Sequence, residues 1–199
     1  MSAGDMVKIR KACSYRQLET PYTRISKYRA KAFIRAVPQR KIVRYDMGET
    51  KRVNFPYSVT LRSKDDLQIR HNALEAARMT SNRLLEKVIG KTGYRMQLRV
   101  FPHHILRENP LASGAGADRM STGMQLSFGK PISSAAQVRR GQLILEVKTE
   151  KQHLDTVKKA MDRAKNKLPC SCWIEIVENK SPTPVTATAP EKKAASTAA

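Results

Sequence analysis

The chain has 199 residues, of which 38 are Lys or Arg and 17 are Asp or Glu, for a net charge of +21. That length holds one domain with extensions or two small ones, and a hydrophobic share of 40% can still build a core. Charge on this scale repels itself in a free monomer, so a polyanionic partner is expected, nucleic acid ahead of an anionic membrane.

No stretch of about 18 apolar residues exists, and the amino terminus lacks a signal peptide's apolar core, so neither a membrane-spanning nor a secreted chain is expected. Three cysteines, an odd number without even spacing, suit a reducing compartment better than a disulfide framework. Cys170 and Cys172 are separated by one residue at the start of a strand expected over residues 171–177, and they lack the C-x2-C spacing of a metal site. They read as structural thiols, and no metal or cofactor is implied.

Taken in order, residues 7–44 carry twelve cations against the single Glu19, so +11 of the +21 lies there. The cations are Lys8, Arg10, Lys11, Arg16, Arg24, Lys27, Arg29, Lys31, Arg35, Arg40, Lys41 and Arg44. Tyr15, Tyr22, Tyr28 and Phe33 are interleaved at spacings that match neither a helix nor a strand. Such an arm, residues 1–40, suits a structured RNA surface, with cations on phosphates and rings on exposed bases or in a groove.

An α+β domain is expected over residues 41–180. Residues 41–46 read as a strand stopped by Gly48, and residues 53–61 as a second strand bent at Pro56. A helix is expected from Ser63, with Asp66 as its capping partner and Leu67, Leu74, Ala77, Leu84 or Leu85, and Val88 on one face. Gly90 and Gly93 end it. Residues 94–100 alternate, placing Tyr94, Met96, Leu98 and Val100 inside.

Residues 135–138 and 142–147 read as two strands of a hairpin around Arg139, Arg140 and Gly141, which exposes the two arginines. Thr149 with Gln152 forms a second capping box, ahead of a helix with Leu154, Val157, Ala160, Met161 and Ala164 on its apolar face. Residues 172–177 make a last strand. The sum is α+β: two amphipathic helices on a mixed, mainly antiparallel sheet. The tail, residues 181–199, has no aromatic residue and no apolar period and is expected to be disordered.

Between the third and fourth of these strands lies the stretch around which the chain is organised, residues 101–131. It holds Gly114, Gly116 and Gly123, with Arg107, Arg119 and Lys130 as cations. A loop of that length is usually functional or disordered. Its glycines are near misses for nucleotide motifs. Arg119 stands where a dinucleotide fingerprint needs its third glycine, and five residues separate Gly123 from Gly129-Lys130 where a phosphate loop has four. His103 or His104 with Asp118 could serve an RNA-acting enzyme, but neighbouring strand residues point to opposite faces, so the histidines make a poor pair. One histidine suits the core edge and His103 an RNA contact.

Four blocks of residues resemble one known family: NALEAARM (72–79), FPHHILREN (101–109), GADRMSTGM (116–124) and SFGKPISSAAQV (127–138). Their order and spacing are similar to large-ribosomal-subunit protein L-ten-e, the archaeal and eukaryotic branch whose bacterial counterpart is L-sixteen, across residues 41–177. The branch looks archaeal.

The resemblance implies an α/β hammerhead and a non-enzymatic, cytoplasmic, ribosome-bound role in translation and subunit assembly. The partners implied are large-subunit rRNA near the peptidyl-transferase centre, neighbouring ribosomal proteins and, transiently, tRNA, with no membrane and no homo-oligomer. It would place the arm cations, Tyr15, Tyr22, His103, Lys130, Arg139 and Arg140 on rRNA. The loop at 107–124, with Arg107, Gly114, Gly116, Arg119, Met120 and Gly123, would point at tRNA acceptor ends. Two departures stand out: Cys13-Ser14-Tyr15-Arg16 carries one residue more than the family's opening block, and Cys170 stands where the family tends to have Gly.

Overall fold

The computed structural model describes residues 10–34, 36–52, 54–108 and 129–179. Lys8, Arg35, most of the long loop and the tail at 181–199 lie outside them. In chain order the elements are β1 (Asp46–Gly48), β2 (Tyr57–Ser63), β3 (Leu67–Arg70), α1 (His71–Val88), β4 (Tyr94–Leu98) and β5 (His104–Glu108). Then follow β6 (Lys130–Val138), β7 (Leu143–Thr149), α2 (Leu154–Lys165) and β8 (Cys172–Glu178).

The architecture is α+β, with two sheets in place of the expected single one. A five-stranded sheet has the order β1-β4-β7-β2-β8 and a three-stranded sheet the order β3-β6-β5, with every pairing between the described strands antiparallel. The two helices pack on each other, α2 against β2, β7 and β8, and α1 against β3, β6 and β4. Leu74, Ala77 and Leu85 of α1 meet Val157, Ala160, Met161 and Ala164 of α2 in one core with Val59, Leu61, Met96, Leu145 and Val147. Val88, assigned to the apolar face of the first helix, is exposed.

Alternation in β4 behaves as expected, with Tyr94, Met96 and Leu98 buried and Val100 just beyond. At Gly48 the strand β1 turns with φ +81°, and an added Cβ would lie 2.2 Å from the carbonyl oxygen of Tyr94. Only glycine fits there.

Five local expectations give way to tertiary pairing. The first strand forms at Asp46–Gly48 and not over 41–46: its ladder with β4 runs from Asp46↔Gln97 to Gly48↔Arg95, preceded by a bond from Leu98 N–H to the Tyr45 carbonyl at 2.8 Å. The second begins after Pro56 and runs on to Ser63. Residues 67–70 are strand β3, laid against β6 in the register Leu67↔Val138 and Ile69↔Ala136, so α1 starts only at His71. The residues taken as its cap build the β2–β3 turn: Ser63 Oγ donates to the Asp65 carbonyl at 2.7 Å, and Asp66 accepts the Arg140 N–H at 2.6 Å.

Thr149 likewise ends β7 with its hydroxyl on the Gly93 carbonyl, and α2 starts at Leu154 after a short 3-10 turn with no side-chain cap. Residues 135–147 form no hairpin either. The turn at Gly141 (φ +81°) passes the chain from β6 in one sheet to β7 in the other. It is tied to β2, with Gly141 N–H on the Ser63 carbonyl at 2.8 Å and Ser63 N–H on the Gln142 carbonyl at 3.1 Å.

Candidate nucleic-acid interface

The three-stranded sheet has two faces. Leu67, Ile69, Ala136 and Val138 turn towards α1 and the main core. The opposite face carries Gln68, Gln137, Ala135 and His104, and the amino-terminal arm crosses it. Gln68 N–H, on the β3 edge, donates to the Arg16 carbonyl at 2.9 Å, and its side-chain amide reaches the Gln17 carbonyl. Over the central strand, Gln137 Nε2 donates to the Glu19 carbonyl at 2.8 Å. At the β5 edge, Ile105 N–H donates to the Tyr22 carbonyl at 3.1 Å, and Tyr22 N–H donates to His104 Nδ1 at 2.9 Å.

Residues 16–22 therefore run from one edge of the sheet to the other and satisfy backbone groups that edge strands leave open. The rings of the arm, expected on bases or in a groove, are not all left open to RNA. Tyr15 is 2% exposed and packs with Leu106, Ala135 and Ile132, and Ile34 is buried as well.

Tyr15 anchors the arm. Its hydroxyl donates to Glu108 Oε2 at 2.7 Å, and Arg10 Nε pairs with the other oxygen of that buried carboxylate. Burial, followed by the bond to Glu108, pushes the Tyr15 hydroxyl up to about 12, so it stays a donor throughout the neutral range. Arg70 covers the ring at 5.6 Å. The ring of Tyr15 is thus withdrawn from any base-stacking role.

With its backbone held, the arm turns its cations outwards. Lys11, Arg16, Arg24, Lys27, Arg29 and Lys31 are exposed, as are Lys41 and Arg44, while Arg10 is partly engaged by Glu108. Tyr28 and Phe33 are each 64% exposed, and Lys31 Nζ lies 5.6 Å from the Tyr28 ring centre. Tyr22 is half-buried between Phe33, edge-on at 5.5 Å, and the Arg107 guanidinium at 3.8 Å.

A second group of rings stands before β5. Phe101, 37% exposed, stacks on Tyr45 at 5.3 Å with 25° between the planes, and Arg40 sits 4.8 Å above it. Exposed His103 leans on the same ring at 4.5 Å. Rings already layered with cations form the kind of platform on which an unpaired base adds another layer. Phe101 and Tyr45 were missed as site residues. Their signal was faint, an aromatic before a His-His pair and another after a run of cations, and only the fold stacks them.

The structure brings together some expected residues and separates others. Arg107 lies on β5 opposite Pro131, and exposed Lys130 faces Glu108, so both stand where the long loop leaves the sheet. Arg139 and Arg140 are exposed just past the other end of the nine-residue β6, roughly 30 Å from Lys130 at strand spacing. Gly114, Gly116, Asp118, Arg119, Met120 and Gly123 lie outside the described residues.

The geometry gives no support to an acid–base site. His104 is buried, its Nδ1 accepts from the Tyr22 backbone, and burial followed by the Arg107 charge holds its pKa below the ordinary histidine value. His103 faces away from it towards Phe101. Among the described residues no three His, Cys, Asp or Glu side chains are grouped to hold a metal, and no helix is long and apolar enough to cross a membrane.

A rigid α+β platform with a docked cationic arm and layered open rings defines a polyanion-binding protein of the RNA-facing kind. The sequence model of ribosomal protein L16p/L10e matches residues 19–175. Large ribosomal subunit protein uL16 of Methanococcus aeolicus is 48% identical over 169 residues, covering 84% of this chain and 94% of its own. The proteins of the same name from Archaeoglobus fulgidus and Staphylothermus marinus are each 44% identical, covering 78% and 75% of this chain and 85% and 82% of theirs. The chain belongs to the ribosomal protein L16p/L10e family, the family its four sequence blocks resemble.

Proposed function

We propose that this chain is a structural, non-enzymatic constituent of the large ribosomal subunit, bound to rRNA in the cytoplasm and supporting translation and subunit assembly. Membership of a ribosomal protein family supports this, together with the name shared by the archaeal relatives. The observation that carries it is the arm locked across the three-stranded sheet, with its exposed cations and rings left to face a polyanion. A flexible tail would lose much of its binding free energy in ordering; an arm already docked loses less. The RNA-acting enzyme reading is not supported, since the family is one of ribosomal proteins and His104 is committed to the arm.

The finer reading has rRNA near the peptidyl-transferase centre taking Lys11, Arg16, Arg24, Lys27, Arg29, Lys31, Arg40, His103 and Lys130. Arg139 and Arg140 would meet a separate stretch of RNA. The loop 107–124 approaches tRNA acceptor ends; its support is the family's pattern and the placement of Arg107 at the loop's root. The other partners are neighbouring ribosomal proteins, and the chain does not form a homo-oligomer. The two-sheet, two-helix architecture fits an α/β hammerhead, and the division into residues 1–40 and 41–180 is best taken as an extension clamped to its domain.

The test is sedimentation and footprinting. The tagged chain should run with large subunits through high salt, and rRNA protections present with it should vanish without it. Recovery away from large subunits would overturn the reading. Deleting residues 112–121 should leave that sedimentation intact while slowing tRNA accommodation; unchanged accommodation would remove the tRNA part alone.

A further inference from the structure

The RNA-facing surface leaves one pair of reactive groups unused. Cys172, the first residue of β8, is buried, and half-buried Cys170 precedes it at the end of the α2–β8 connection. Residues two apart along an extended chain share a face, and because Cys170 precedes the strand its side chain comes closer to that of Cys172 than strand spacing would bring it. Their sulfurs lie 3.3 Å apart, in contact, and both thiols are free.

The arrangement is built by the β2–β3 turn. Lys64 N–H donates to the Ser171 carbonyl at 2.9 Å, and Ser171 N–H donates to Asp65 Oδ2 at 3.4 Å. Cys172 is paired in register with Ser63. The residue between the cysteines is therefore held on both of its backbone groups, and the thiols meet over it.

We propose that Cys170 and Cys172 form a redox-active dithiol, a site that a hydroperoxide closes reversibly to an intrachain disulfide. A disulfide needs its sulfurs at about 2.05 Å, so the pair closes by roughly 1.2 Å, a movement within reach of side-chain rotation.

The two sulfurs have distinct parts. The hydrogen bond from Cys172, with a lesser one from Ser63, holds the Cys170 thiol below its ordinary pKa, and Cys170 is the more accessible of the two. The Cys172 thiol is pushed up by that same bond and by burial. Thiolate is the attacking form. Cys170 sulfur attacks the peroxide O–O bond, a sulfur–oxygen bond forms, and the other oxygen leaves as an alcohol or water after taking the proton Cys170 gave up. Cys172 sulfur then attacks the sulfenic sulfur, gives up its own proton, and water leaves. The thiols lose two electrons and the peroxide gains two.

The test uses the full chain with Cys13→Ser, which removes the exposed third thiol, treated with stoichiometric hydrogen peroxide and read by intact mass and thiol titration. The expected product is monomeric, lighter by two hydrogen atoms, without titratable thiol, and restored by a dithiol reductant. Adding Cys172→Ser should stop the reaction at a sulfenic acid on Cys170 that dimedone traps, while adding Cys170→Ser should leave Cys172 reduced. If Cys170 in the Cys13→Ser chain gains oxygen or cross-links chains while Cys172 stays free, or if neither thiol reacts until the chain is unfolded, the proposal is overturned. That reading needs neither second variant to fold.

Discussion

Tyr15 and Glu108, 93 residues apart in sequence, meet through a 2.7 Å hydrogen bond in the second core, and Arg10 takes the carboxylate's other oxygen. The arm's first turn is thereby fixed to the last residue of β5, at the root of the long loop. Tyr15→Phe keeps the packing but leaves a buried carboxylate short of a donor, which costs about 1–3 kcal/mol. Urea unfolding of the full chain should show that loss, while RNA affinity at fixed salt stays within a factor of about two because the ring never faces RNA. A stable Tyr15→Phe chain that binds RNA poorly would mean the ring is a base contact after all.

Counterion release gives the arm a measurable signature. Replacing Lys11, Arg16, Arg24, Lys27, Arg29 and Lys31 by Gln removes exposed charge without disturbing the backbone bonds that dock the arm. The slope of log K for rRNA against log salt should become shallower by about 0.7–0.9 for each cation that touches phosphate. An unaltered slope would show these side chains to be merely solvated.

The Phe101 stack is a separate test. Phe101→Ala removes the ring that stacks on Tyr45 and that Arg40 covers. If an rRNA base adds to this stack, binding should weaken by about 1–3 kcal/mol. Thermal unfolding should shift little, because the ring is already partly in water. The reverse pattern, a large loss of stability with RNA binding intact, would make the stack a packing device.

Acid should loosen the second sheet. His71 and His104 are both held below the ordinary histidine value, in each case chiefly by burial. His71 Nδ1 accepts from Lys41 N–H at 3.3 Å and His104 Nδ1 from Tyr22 N–H at 2.9 Å, so protonation breaks a tie to the amino-terminal segment at each. With the folded pKa depressed, the unfolded chain takes up protons first. Stability is complete above the unfolded value near 6.5 and falls as pH drops below it, by up to about 1.4 kcal/mol per unit for each group. Urea midpoints taken between about pH 7.5 and 5.5 should fall, and His104→Asn should shallow the decline. A flat profile would show that neither histidine is linked to folding.

What the sequence determined by itself is what neighbouring residues can encode. The alternation of Tyr94, Met96 and Leu98, the apolar stripe of Val157, Ala160, Met161 and Ala164, and the cation excess of the arm are local patterns. The fold used them as written. The four blocks of family residues carried the identity for the same reason.

The tertiary structure decided everything that depends on a partner distant in sequence. Leu67–Arg70 became a strand because β6 supplied hydrogen bonds that a helix start could not match, and Ser63 and Asp66 went to a turn. The chain changes sheets at Gly141 because the turn is tied back to Ser63. Tyr15 was turned inwards by Glu108, and Phe101 was made a platform by Tyr45 and Arg40. Periodicity shows which side of an element is apolar; it carries no information about which distant surface will cover that side. The arm's rings and the stack before β5 could therefore be sorted into buried and open only once the three-stranded sheet was in place.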